Sequence, residues 1–355
     1  IATQDPKLRA KFAGTPEMVA RYLVFVAEEA RALLASLGLR SIDEAVGRTD
    51  LLRQRKTGDE RWDSVDLGPL LPPPTDQHRF VGRLSIQNPR DELGDRLLTN
   101  GIDALVAGDD IALDYRITTA DRAVGAALSC ESALVLGGER PEGRVRVTLE
   151  GEAGQSFGAF LRSGIELTLT GEANDYVGKS MAGGRIAVLP PANDAGDPVL
   201  VGNTVLYGAT GGQLFVAGRA GERFAVRNSG AVAVVEGAGN HLCEYMTAGA
   251  VVVLGPTGSN VGAGMSGGEI YVYDPGDQLA ERLNTQLVAA YEPAAGQRES
   301  LRRVIGHHVS ATRSAKGAAI LEDWELQSPY FKRVAPVAEV ARLEALFEGT
   351  AVAAV

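Results

Sequence analysis

Between Gly143 and about Tyr273, apolar residues alternate with other residues in short runs, and each run follows a glycine. The runs are GRVRVTLEG from Gly143, GIELTLTG from Gly164, GRIAVLP from Gly184, GQLFVAG from Gly212, GAVAVVEG from Gly230, GAVVVLG from Gly249 and GEIYVYD from Gly268. The glycine-to-glycine steps are 21, 20, 28, 18, 19 and 19 residues, and the long one holds a loop-like insertion from Pro190 to Pro198. Alternation with period two, rich in Val, Ile and Leu, predicts strands and fits an amphipathic helix poorly. One strand phrase per copy at a period of about twenty residues is the mark of a solenoid.

A second phrase lies between the glycines: SFGAF at Ser156, YVGKSM at Tyr176, VLYGA at Val205, RFAVRN at Arg223, HLCEYM at His241 and NVGAGM at Asn260. Met181, Met246 and Met265 each stand three residues before their glycine. The pattern predicts two short strands per turn, with equivalent residues stacked one above another. Parallel strands stacked in this way turn Val, Ile and Leu inward and pair their backbones with the neighbouring turns. Glycines then take the corners, where positive φ or close approach is needed. The expected fold is mainly β: a right-handed parallel β-helix, a single-stranded solenoid, with α-helices flanking both ends.

Outside the repeat the pattern is helical. Thr15-Pro16-Glu17 opens a helix with an N-cap, a first-turn proline and an acid at the positive end of the dipole. Val19, Tyr22, Leu23, Val26, Ala30, Leu33, Leu34 and Leu37 share one face, and Gly38 ends it. Ser41 and Glu44 read as a capping box. These helices need something to lie against, so the chain is expected to be a piece of a longer polypeptide. Residues 51–80 read as a charged, proline-bearing linker. A helix is predicted over Asp91–Ala107 and a strand over Ile111–Ile117, and residues 120–132 fit either a short helix or an irregular first turn. After Asp274, Leu301, Val304, Ile305 and His308 mark one helix. Ala319, Ile320, Asp323 and Trp324 mark a second, and a last one is expected from Val337 to Phe347. The helices on either side of the solenoid are expected to cover its ends, because an open strand edge pairs with other chains.

Composition narrows the function. With 355 residues, 45% hydrophobic and 23% charged, the chain has ample core for two or three domains. A formal charge of −10 without a basic cluster argues against nucleic acid and anionic membranes as partners. The sequence holds no run of about 18 apolar residues and no visible signal peptide. Cys130 and Cys243 lie far apart, which suits a reducing compartment, here the cytoplasm, better than a disulfide framework.

Candidate chemistry is sparse. Gly262-Ala-Gly264-Met-Ser-Gly267 matches GxGxxG but leads into a strand, not a helix, so it reads as a repeat turn. His241, Cys243 and Glu244 could hold a metal, but strand geometry puts Glu244 on the face opposite the other two. His307 and His308, about 100° apart on a helix, read as one surface and one core histidine. Ser229 and Ser266 lie in no GxSxG. Asp175, Glu222 and Glu244 form no clear column. The residues therefore describe a scaffold, with no catalytic, cofactor-binding or metal-binding residue assigned.

The longer phrases resemble a known family. AGQSFGAF (Ala153 to Phe160), GEANDYVGKSMAGGRI (Gly171 to Ile186), GNTVLYGATGG (Gly202 to Gly212), AGERFAVRNSGAVAVVEG (Ala220 to Gly237), CEYMTAGAVVVLG (Cys243 to Gly255) and GAGMSGGEIYVYD (Gly262 to Asp274) resemble the C-terminal β-helix domain of glutamate synthase large subunits. ATQDPKLRAKFAGTPE (Ala2 to Glu17) and GLRSIDEAVGRTDLL (Gly38 to Leu52) look like the end of that family's FMN-binding barrel, and GHHVSATRSAKGAAILEDWE (Gly306 to Glu325) like its C-terminal helices. The resemblance implies four segments: 1–55 from the end of the barrel, 56–88 a linker, 89–275 the β-helix and 276–355 the C-terminal helices. It implies an enzyme that converts glutamine and 2-oxoglutarate to two glutamates, in ammonia assimilation. FMN and a 3Fe-4S cluster would be held upstream of Ile1, with FAD on a small subunit. Expected partners are the other domains of the large subunit, and a small subunit or ferredoxin as electron donor. No catalytic residue of the family falls on a position here, so this chain alone is expected to be inactive. The alternative is a non-catalytic subunit of another redox complex, like the β-helix subunit of formylmethanofuran dehydrogenase. A carbohydrate-cleaving β-helix is a third reading, opposed by the apolar, glycine-rich columns.

Overall fold

The computed structural model describes residues 10–74, 92–191 and 196–340, and the chain divides into two compact units, 1–88 and 89–355. In the first unit, helix α1 spans Pro16–Ser36. The Thr15 hydroxyl accepts from the Met18 N–H at 3.4 Å, as its N-cap position requires. None of its residues is buried, and Tyr22 and Phe25 are 66% and 68% exposed. Helix α2 (Ile42–Ala45) is capped by Ser41, whose hydroxyl accepts from Glu44 N–H at 3.2 Å. The Glu44 carboxylate takes the Arg40 N–H rather than that of Ser41, so the predicted capping box is shifted by one residue. The stretch expected as a linker has local order. Helix α3 (Glu60–Asp63) ends in a carboxylate that accepts from Thr57 and Gly58 N–H, and the Gln54 side chain bonds both Val65 O and Leu67 N–H. The remainder of that stretch, 75–88, lies outside the described residues.

The second unit is built on a parallel ladder. After helix α4 (Glu92–Ala107) come β1 (Asp110–Ile117), helix α5 (Ala126–Val135), β2 (Arg144–Ala153), β3 (Ile165–Ala173), β4 (Ala182–Leu189), β5 (Val199–Val201), β6 (Gly211–Val216), β7 (Arg219–Ala220), β8 (Ser229–Val235), β9 (Ala248–Val253) and β10 (Glu269–Tyr273). Strands β1, β2, β3, β4, β6, β8, β9 and β10 lie side by side in that order, all parallel. One-to-one register holds through runs such as Leu167↔Ile186, Ile186↔Leu214 and Leu214↔Ala233, so the sequence repeat becomes a column of stacked side chains.

The second phrase is a ladder too, but not of strands, which corrects the expectation of two strands per turn. In each six-residue copy the first, third and fifth residues have positive φ, between 55° and 71°. Copies run from Ser156, Tyr176, Thr204, Arg223, His241 and Asn260. The left-handed conformation costs a non-glycine residue roughly 1–2 kcal/mol. Hydrogen bonds between turns offset this: His241 N–H donates to Ser259 O, Cys243 N–H to Phe224 O and Tyr245 N–H to Ala263 O, each at 2.8 Å. The second, third and sixth residues of each copy are buried and the first and fifth face outward, as Leu242, Cys243 and Met246 lie inside while Tyr245 is exposed, so the turn does not follow the period of a strand. Residues 120–132 combine both readings: Ala123 N–H bonds to Gln155 O and Val124 O accepts from Gly158 N–H as a first turn, and α5 follows directly.

Burial differs along the ladder. In β2, Val145, Val147 and Leu149 are buried while Arg144, Arg146 and Thr148 are exposed, because one face is open. In β6, Leu214, Phe215 and Val216 are all buried. There the outer face is covered by helix α7 (Ala295–Thr312), helix α8 (Ala315–Glu322) and helix α9 (Trp324–Gln327), which follow the short helix α6 (Leu279–Arg282). Leu301, Ile305, Ile320 and Trp324 close over Phe215, Val234, Val252 and Tyr271 as a second core. The C-terminal region, expected to be helical, also contributes β11 (Val288–Tyr291) and β12 (Phe331–Pro336). Strand β12 runs antiparallel to β10 and satisfies its free edge, and β11 adds outside it. The last predicted helix lies largely outside the described residues. No helix among the described residues is long and apolar enough to cross a membrane.

Candidate functional site

Buried polar groups gather where the helices meet the ladder. Glu236 follows the apolar run of β8 and is only 8% exposed. Above it, α7 carries His308, fully buried, with its Nε2 3.4 Å from Glu236 Oε1 and its ring 6.1 Å from that of Phe215. Thr312 turns its hydroxyl back onto His308 O at 2.7 Å, and Arg313, at φ 58°, ends the helix. Ser314 then caps α8: its oxygen accepts from Gly317 N–H at 2.8 Å, and its hydroxyl donates to Glu236 Oε1 in a short bond. Gly317 is required by close approach, since a Cβ there would stand 2.9 Å from Val309 Cγ2. Lys316 Nζ lies 3.3 Å from Glu236 O, 3.9 Å from Glu236 Oε2 and 3.2 Å from Asp197 Oδ1 in the inserted loop.

Burial pushes the Glu236 carboxyl up, but hydrogen bonds from His308 and Ser314, with the charges of His308 and Lys316, outweigh it and hold the group below its ordinary value. The chemistry of this cluster is that of a clamp. A serine nucleophile needs an imidazole beside it to take its proton, whereas here the carboxylate sits between serine and imidazole. The Ser314 hydroxyl is committed to the carboxylate and the cap. An adjoining cleft of about 560 Å³ is lined by Leu254, Thr257, Tyr273, Asp274, Arg282 and Ile320, among others. Several of its polar groups are already partnered: Asp274 accepts from Gln278 and Leu279 N–H, Arg282 donates to Thr257 O and Gln278 Oε1, and Tyr273 donates to Gln327 at 2.5 Å.

The other sequence candidates fall apart in space. Cys243 is fully buried inside the ladder, while His241 is half-buried on the outer side of the same turn. Glu244 is also half-buried and pairs with Arg223 at 2.7 Å. The argument from strand faces does not apply there, because the segment is a left-handed turn. Gly262 and Gly264 occupy the third and fifth positions of the last turn, at φ 71° and 66°. His307 is exposed. Asp175 and Glu222 do share a column, with Asn203 between them. Asp175 accepts from Asn203 N–H at 2.7 Å and Asn203 Oδ1 from Glu222 N–H at 2.8 Å, so the column ties successive turns together. Among the described residues no three His, Cys, Asp or Glu side chains group as a metal site. Sequence reasoning missed Glu236, Ser314 and Lys316. The only local signal was a charged residue following an unbroken apolar run.

Comparison with known proteins agrees in both parts of the chain. The family pattern of the GXGXG motif matches residues 93–337, and that of the conserved region in glutamate synthase matches residues 1–40. The chain is 44% identical over 352 residues to the glutamate synthase [NADPH] large chain of Azospirillum brasilense, covering 97% of this chain and 23% of that protein. It is 42% identical to the chloroplastic ferredoxin-dependent glutamate synthase of Spinacia oleracea, over 98% of this chain and 22% of the relative. It is 43% identical to glutamate synthase [NADH] of Schizosaccharomyces pombe, over 97% and 17%. The chain thus spans less than a quarter of the length of the relatives it matches. With its GXGXG pattern running from the start of α4 through β12, the chain belongs to the GXGXG-motif family and corresponds to a segment of a glutamate synthase large chain.

Proposed function

We propose that this segment is the structural C-terminal part of a glutamate synthase, holding the arrangement of the other domains and supplying no catalytic residue. The enzyme as a whole would convert glutamine and 2-oxoglutarate to two glutamates in the cytoplasm, with electrons arriving through a small subunit or ferredoxin. FMN and the iron–sulfur cluster belong, in this reading, to the part of the polypeptide outside the segment. Iron–sulfur clusters take several cysteine thiolates. The two cysteines here, Cys130 at the surface of α5 and Cys243 inside the ladder, do not fit one. We also read the parallel ladder as a right-handed parallel β-helix, a reading supported by its repeating parallel connections and by the general right-handedness of parallel crossovers.

The observation that carries the scaffold reading is the filled interior. Apolar side chains close the stack from Leu97 to Val334, and the polar side chains of its turns bond to its own backbone. The test is made in the full-length large chain. Loosening the stack with Gly249→Ala is expected to reduce glutamine-dependent glutamate formation while glutamine hydrolysis and 2-oxoglutarate reduction with free ammonia keep their rates. Unchanged coupling in a demonstrably loosened variant would sink the reading, as would stoichiometric FMN on the 355-residue chain by itself.

A further inference from the structure

One surface of the stack has groups that its own fold does not use. The first and fifth positions of the six-residue turns face outward, and they carry Phe160 (50% exposed), Tyr176 (36%), Arg227 and Tyr245 (37%). Lys179 Nζ lies 5.5 Å from the centre of the Tyr176 ring, and the Arg227 guanidinium 5.7 Å from that of Tyr245. Neither cation has an acidic partner among the described residues. Several other cations of the ladder are paired with acids, as in Arg146–Asp110 at 2.8 Å, Arg185–Glu166 at 2.5 Å and Arg223–Glu244 at 2.7 Å. In a chain of net charge −10, Lys179 and Arg227 both lie on tyrosine rings instead. They are also preorganised, since the ring contact already limits their rotamers. Turns stack about 4.8 Å apart. Phe160 and Tyr245, four turns apart, therefore bracket a ribbon roughly 19 Å long, the scale of a protein interface. Exposed aromatics with arginine are the residue types that dominate binding energy at such interfaces.

We infer that this ribbon is the surface on which the rest of the large chain docks, presenting carboxylates and backbone carbonyls to Lys179 and Arg227. The inference rests on the scaffold reading and names the contact through which the scaffold acts. Relatives extend over more than four times the length of this chain, so most of such a polypeptide lies outside it. Much of the rest of the stack is covered by the chain itself. The outer face of β6 to β10 is covered by α7 to α9, the edge of β10 is closed by β12, and the open face of β2 to β4 carries the pairs Arg146–Asp110 and Arg185–Glu166. A two-fold pairing with a second copy would set like ribbon on like ribbon, cation against cation.

The test uses the full-length large chain with p-benzoylphenylalanine in place of Phe160 or Tyr245. Irradiation is expected to cross-link the ribbon to residues of the same molecule that precede this segment. Cross-links only to a second copy or an electron-donor protein, or none beyond the segment itself, overturn the inference. The paired reversal Lys179→Glu with Arg227→Glu is expected to lower glutamine-dependent synthesis severalfold while both partial reactions continue; unchanged coupling counts against it. If cross-links fail while Gly249→Ala still uncouples the reactions, the ribbon is wrong and the scaffold stands. If cross-links form and Gly249→Ala leaves coupling intact, the scaffold reading is the one that falls.

Discussion

Glu236 Oε1 and His308 Nε2 stand 3.4 Å apart, 72 residues distant in sequence, and both side chains are withdrawn from solvent. The contact joins the end of β8 to α7, and Ser314 draws the start of α8 onto the same oxygen. One carboxylate thus fixes two helices over the second core.

Removing that carboxylate leaves an imidazole, a hydroxyl and an ammonium short of a partner. Breaking a buried pair by taking one member costs about 3–5 kcal/mol. Glu236→Ala is expected to lower stability by an amount near the bottom of that range, because Lys316 keeps Asp197. Glu236→Gln, which keeps the shape, should cost less. Urea unfolding followed by tryptophan fluorescence measures both, with Trp324 reporting from the second core. Equal stability of Glu236→Ala and the parent chain would refute the clamp.

Acid should release the same clamp. Glu236 is held below the ordinary value of 4.5 in the folded chain, so folded protein binds its proton less readily than unfolded protein. Its contribution is therefore complete above the unfolded value and lost as pH falls through the folded one. Between about pH 5 and pH 3 the parent chain should lose more stability than Glu236→Gln does. Parallel loss in the two proteins would assign the acid sensitivity to other carboxylates.

Two glycines separate corner from helix. At Gly249, φ is +94° and a Cβ would stand 2.4 Å from Ala231 O and 2.8 Å from Asn228 Nδ2. Gly296, in the first turn of α7, has open space around its Cβ position. Gly249→Ala is expected to cost more than about 2 kcal/mol through strain and clash. Gly296→Ala should be neutral or stabilising by up to about 1 kcal/mol. Thermal midpoints of the two variants give the comparison directly.

Asn228 occupies the sixth position of its turn, where Met181, Met246 and Met265 stand in other copies. It is fully buried, accepts from Gly230 and Ala231 N–H, and donates to Ala231 O. Asn228→Met restores the apolar column but strands those backbone groups, at a cost of about 1–3 kcal/mol. A variant as stable as the parent would show that the backbone finds other partners.

The thiols should differ sharply. Cys243 is fully buried and burial pushes its thiol far up, while Cys130 is exposed on α5. Since the thiolate is the reactive form, a disulfide reagent should titrate one thiol in the native chain and two after denaturation. Rapid native reaction of Cys243→Ser and of Cys130→Ser alike would contradict the placement of Cys243.

The sequence by itself determined what local geometry dictates. Its glycine period set the spacing of the ladder strands, the Thr15-Pro16 pair set the start of α1, and the alternation of Val145, Val147 and Leu149 set which face of β2 is buried. The phrase from His241 to Met246 misled, because positive φ at His241, Cys243 and Tyr245 makes a turn that buries Leu242, Cys243 and Met246 together, an arrangement a strand of alternating faces does not have. Tertiary structure alone decided that Glu236 would be covered, that β12 would run antiparallel against β10, and that Phe215 would face helices rather than water. Those outcomes depend on segments about 60 to 100 residues away folding back over the ladder, and no window of the chain records which distant surface will arrive there.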